Sequence, residues 1–205
     1  MLSRNLFLIL FLMISSTSVY AVDCKKLFDK IDKQHYEMTT LNRNKQLIAI
    51  ENALFKAIDQ CRGYAGMFVL MGEVQIDMGQ IPLSVVYARK AVGMDDKYWR
   101  AHKLLGSALM LNNQPESGLK SLRKAVELDP DNTNAQLNMV SALVQNKKYE
   151  EALTVINKVI ARNEQGTLAT AYYLRSRAYH GKGLIIEADK DLKEAQRMGF
   201  VVQQR

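Results

Sequence analysis

Cys24 and Cys61 are the residues of this chain best suited to covalent chemistry, and they are its only thiols. No CxxC pair is present to poise a redox centre. The other reactive side chains do not gather into a pattern. His35, His102 and His180 are widely spaced and form no HExxH, so no zinc site is predicted from them. No GxSxG marks a nucleophile elbow. Gly181-Lys182-Gly183 has neither the spacing nor the Ser or Thr of a phosphate loop. Glu150, Glu151, Asp189 and Asp191 lie among lysines, where solvated faces and i,i+4 ion pairs are expected. These patterns point to no catalytic residue, no metal ligand and no cofactor. Enzyme chemistry is not expected.

The elements that must position the cysteines begin after a distinct leader. Arg4 supplies a positive start, Leu6 to Ile14 is a nine-residue apolar run, and Val19-Tyr20-Ala21 ends the stretch. This is the form of a secretory signal peptide over residues 1–21, cleaved after Ala21. The run is shorter than the ~20 apolar residues that cross a membrane. Asp23 precedes Cys24 where a lipidation site needs a small residue, so no lipid anchor is expected. The expected product is one periplasmic or secreted domain with no transmembrane segment. In an oxidising compartment an even cysteine pair reads as a disulfide. A helix from Cys24 to about Met38, a turn near Asn42 and a helix from Asn44 to Cys61 would bring the two thiols together. Closing that loop would stabilise the fold by at most about 4 kcal/mol.

Charge narrows the partners. The formal net charge is +7, and it is spread thinly along the chain. Nucleic-acid binding needs a focused basic stripe, which is absent, so no nucleic-acid partner is expected. Acidic or anionic partners are weakly favoured.

The strongest pattern is a beat of small residues. Gly72, Gly106 and Val140 are spaced by 34, and Ser176 follows after 36. Ala91, Ala125, Val159 and Ala195 follow them by 19 each. The clearest copy, Trp99 to Asn132, carries Leu105-Gly106, Leu109, Gly118, Leu122, Ala125 and Pro130. Antiparallel helices approach closely only where one side chain is small. Pro130 cannot continue a helix and disfavours helical geometry at Asp129.

On these residues the chain resembles the tetratricopeptide repeat family, whose period is 34 residues. The resemblance implies an all-α fold, a right-handed superhelical solenoid of antiparallel helix hairpins. Four copies fit, over residues 65–98, 99–132, 133–166 and 169–202, with a two-residue slip near Glu164 to Leu168 and a tail at 203–205. Residues 22–64 read as an N-terminal capping hairpin that could be a degenerate fifth copy.

The family binds partners in a groove lined by the first helix of each copy. Its second, fifth, ninth, twelfth and thirteenth positions face that groove. By resemblance they include Val69, Glu73, Ile76, Arg100, Lys103, Ser107, Met110, Leu137, Ser141, Val144, Tyr173, Arg177 and His180. Met110, Leu137, Val144 and Tyr173 read as an apolar strip flanked by Arg100, Lys103 and Arg177. Val69 and Glu73 stand where some relatives place a Lys and Asn clamp for acidic tails, so that specificity is not expected. The implied function is an exported scaffold that binds a peptide or helix of a cell-envelope protein, in pilus, secretion or envelope assembly. An alternative is an accessory subunit binding cell-wall or exported polysaccharide through Tyr173 and Tyr179. Self-association through the C-terminal end is a further expectation.

Overall fold

The computed structural model describes residues 22–162, 164 and 166–201. The leader with its cleavage point, Val202 and the tail at 203–205 lie outside them. Ten α-helices and no strand occur among the described residues. They pair in chain order. The pairs are α1 (Cys24–Tyr36) with α2 (Arg43–Gln60), α3 (Ala65–Asp77) with α4 (Ile81–Met94), and α5 (Trp99–Leu111) with α6 (Pro115–Leu128). They continue with α7 (Thr133–Gln145) and α8 (Tyr149–Arg162), then α9 (Leu168–Gly181) and α10 (Ile185–Arg197).

Local chemistry sets the ends. Asp23 caps α1 by accepting from the Lys26 amide at 3.1 Å, and Asn132 caps α7 by accepting from the Ala135 amide at 3.0 Å. Pro82 and Pro115 sit in the first turns of α4 and α6, where a missing amide costs nothing.

The hairpins stack through their first helices. α1, α3, α5, α7 and α9 touch in succession, whereas the backbones of α2, α4, α6, α8 and α10 do not come together among the described residues, and α6 reaches α8 through the Arg123–Glu151 pair at 2.7 Å. The inner layer is therefore the tight one and the outer layer splays, which bends the stack into a curved solenoid. All eight positions of the small-residue beat are buried. At Gly106 the reason is direct. A Cβ there would sit 2.9 Å from the Gly118 carbonyl oxygen and 3.0 Å from Leu122 Cδ2, so α5 could not keep its distance from α6.

A second beat lies in the turns. Gly79, Asn113, Lys147 and Gly183 close the inner helices with φ of 76°, 57°, 58° and 77°. After each, an amide reaches back five residues: Gln80 to Gln75 (2.7 Å), Gln114 to Leu109 (2.9 Å), Lys148 to Leu143 (2.8 Å) and Leu184 to Tyr179 (3.0 Å). This bond satisfies a carbonyl that the helix end would leave unpaired. The two-residue slip falls between α8 and α9, outside every inner-to-outer turn.

At the N-terminal end Asn42 turns the chain with φ 58°. α1 and α2 are joined by the Cys24–Cys61 disulfide, with Cα atoms 5.7 Å apart. No helix among the described residues is long and apolar enough to cross a membrane.

Candidate functional site

The inner helices present two unlike halves. In the N-terminal half the expected basic flank is already neutralised. Arg100 on α5 donates to both oxygens of Asp32 on α1, at 2.7 and 3.0 Å, and to Glu73 on α3 at 2.6 Å. Lys103 lies 3.5 Å from the same Glu73. The four side chains are 11–18% exposed, so this is a largely desolvated ion-pair cluster. Three inner helices are tied by it. Burial would lower the Arg100 pKa, but the hydrogen bonds and charges of Asp32 and Glu73 outweigh that and hold it above its ordinary value. The Phe28 ring lies beside the guanidinium at 5.5 Å. Tyr98, next to this cluster, has its phenol pushed up to about 12, chiefly by burial.

Several groove expectations are corrected here. Val69 and Leu137 are buried in the core and do not line an open strip, and Val144, also buried, reaches only the edge of a cavity at the C-terminal half. The cause is the tight inner layer: the fifth and twelfth positions of one copy face the next inner helix before they face solvent. Ile76 packs against the Val85, Ala108 and Leu109 cluster. Met110 packs on the core and against Gly118. Ser107 accepts from Asn138 Nδ2 at 3.2 Å. Arg100, Lys103 and Glu73 satisfy one another. Tyr173 is stacked under Phe200, with ring centroids 4.3 Å apart. The guanidinium of Arg175 lies 5.8 Å from the Tyr179 ring. One face of each tyrosine proposed for sugar stacking is therefore covered. Asp32 was not legible as a site residue, since it lies 68 positions from Arg100 and outside the repeats.

The C-terminal half keeps an opening. A cavity of about 370 Å³ is lined by Val144, Tyr149, Tyr173, Arg177, His180 and Leu192, with Ser176 and Gly181. It gathers four of the residues singled out from sequence. Arg177 and His180 are exposed. Arg177 makes no hydrogen bond or ion pair to another side chain among the described residues, so its charge faces the opening unopposed. Ser141 lies half-buried on α7. A larger hollow of about 660 Å³ lies on the outer side around α6. Its charges are partly spent on each other, with Arg123 on Glu151 at 2.7 Å and Lys124 on Glu127 at 2.6 Å, which makes it the weaker candidate.

The remaining histidines are structural. His35 Nε2 meets Asp77 at 2.8 Å, and His102 Nε2 lies 2.9 Å from the Asp96 carbonyl. No three metal-ligating side chains gather among the described residues.

Comparison with known proteins agrees with this architecture. Family models described as tetratricopeptide repeat match residues 69–133, 109–177 and 169–198. Among solved structures the chain resembles TTC0263, a thermophilic TPR protein in Thermus thermophilus, with TM-score 0.68 and 12% identity over 84% of this chain and 91% of that one. It is similar to MamA from Desulfovibrio magneticus, with TM-score 0.66 and 14% identity over 86% and 95%. It is also similar to YrrB, described as a TPR protein with an unusual peptide-binding site, with TM-score 0.61 and 20% identity over 87% and 93%. At these identities the likeness shows the fold. Comparison with curated proteins gives no match.

Proposed function

The chain belongs to the tetratricopeptide repeat family, and from that premise we propose that it is an exported, non-enzymatic scaffold that binds a protein partner at the C-terminal half of its inner face. The observation that carries this reading is the cavity of Val144, Tyr173, Arg177 and His180. Apolar walls can take a partner's side chain, and the unopposed Arg177 can pair with a carboxylate beside it. The peptide-binding site of YrrB, a protein of the same fold, supports the same class of ligand. The leader at residues 1–21 and the cysteine pair support an oxidising compartment, the periplasm or the exterior. Pilus, secretion or envelope assembly are the settings that family analogy suggests.

Crosslinking and pull-down from envelope fractions tests this. Wild-type protein should capture specific proteins, and Arg177→Glu should lose them. Binding to a glycan array with no protein captured would favour the polysaccharide reading instead. N-terminal sequencing of the native protein tests export, with Val22 expected as the first residue.

A further inference from the structure

The α9–α10 face has a shape and a charge that specify its occupant. Each earlier hairpin is covered by the inner helix of the next. On α7–α8, Leu137, Val140, Val144 and Ile156 are buried in one cluster with Ala171, Leu174 and Ala178 of α9. Those three fall at the third, sixth and tenth places of their copy. α5 presents Ala101, Leu104 and Ala108 at the same places, all buried. α7 presents Ala135, Asn138 and Ala142 there. α3, which covers the first hairpin, presents Met67, Leu70 and Val74 there, so three of the four covering helices are small at two places, which lets the backbones close, and three of the four carry Leu between them. On α9–α10 the equivalent floor is Tyr173, Ser176, His180 and Leu192. Leu192 is half-buried where Ile156, one copy earlier, is fully buried. No helix covers this floor among the described residues; Phe200 takes one corner.

Charge adds a register. Glu73, at the ninth place of its copy, receives Arg100 and Lys103, the second and fifth residues of the next inner helix. The residue at the ninth place on α9 is Arg177. The pairing is the same with its sign reversed.

We infer that the α9–α10 end receives an α-helix of another protein as an additional inner helix. That helix carries small residues at its third and tenth places, leucine at its sixth, and Asp or Glu at its second or fifth to meet Arg177. A second copy of this chain fits poorly. Counted from Cys24, α1 has Lys25 and Phe28 at the second and fifth places and Lys26 and Lys33 at the third and tenth. The inference rests on the reading of this cavity as a protein-binding site and adds the partner's secondary structure and charge.

The test uses the full mature protein and a labelled synthetic helical peptide with Ala at places three and ten, Leu at six and Glu at two and five. Fluorescence anisotropy should show saturable binding. Arg177→Glu should weaken it at least tenfold, and a peptide with Lys replacing the two Glu should recover it on that variant. Affinity unchanged by Arg177→Glu overturns the inference. Equal binding of a peptide broken by a central proline overturns the helix while leaving the protein-binding site standing. No saturable binding, with envelope proteins still captured by pull-down, does the same. Concentration-dependent self-association abolished by Arg177→Glu would assign the end to a second copy and overturn the partner helix.

Discussion

Lys147 shows how much a single residue can carry. It holds the left-handed turn that glycine holds at Gly79 and Gly183, with φ 58° and a side chain in no ion pair among the described residues. A Cβ in this region costs about 1–2 kcal/mol, part of which glycine returns through the unfolded chain. Lys147→Gly should therefore stabilise the protein by about 0.5–1 kcal/mol, read from the midpoint of denaturant unfolding. A lowered midpoint would mean that the lysine side chain contributes a contact of its own. Tyr98 makes a prediction in pH. Burial raises its folded pKa to about 12 from a reference of 10.0. Its contribution is fully present below pH ~10 and is lost as pH rises towards ~12, because only the unfolded chain ionises readily there. Stability should fall over that window, and Tyr98→Phe should flatten the fall. Equal slopes for the two proteins would assign the alkaline loss to other groups.

Among elements, the ion-pair cluster decides how α1 belongs to the array. Arg100 links α5 to Asp32 on α1 and Glu73 on α3. Arg100→Leu would strand the nearly buried Asp32 and leave Glu73 only Lys103, and removal of one partner from such a cluster costs about 3 kcal/mol or more. Replacement of Arg100, Asp32, Glu73 and Lys103 together by apolar residues leaves no charge behind and should be far less harmful. If the single and quadruple variants are equally unstable, packing and not charge holds the contact. The elements themselves were readable from sequence, because close helix contacts demand small residues and Gly72, Gly106 and Ala125 announce them. Their partners were less readable. Val69 and Leu137 carry a groove position's number but a core residue's chemistry, and only the closeness of successive inner helices decides between the two. Asp32 precedes the first copy, so no periodicity marks it. Lys147 is not a turn former, so the second beat is visible in sequence only at Gly79, Asn113 and Gly183.

The whole molecule has unlike ends. The first hairpin is held by a disulfide, by the Arg100 cluster and by the His35–Asp77 pair. The last is held by one neighbour and its own packing. In an array whose units touch only their neighbours, loss of one contact spreads slowly. Hydrogen exchange should therefore show the slowest amides in α3–α7. Reduction of the disulfide should quicken exchange in α1 and α2 and leave α9 and α10 unchanged. A uniform change along the chain would point to one cooperative unit. The placing of the two-residue slip between α8 and α9 has a consequence for length. Each inner-to-outer turn from α3 onward is a closed device in which one left-handed residue and one returning amide admit no extra residue. The outer-to-inner joints carry no such device among the described residues. Foreign segments inserted after Arg162 should be carried as passive guests, while the same segments inserted after Asn113 should unseat a hairpin. The solenoid can therefore gain cargo or tags at its joints and remain rigid at its corners.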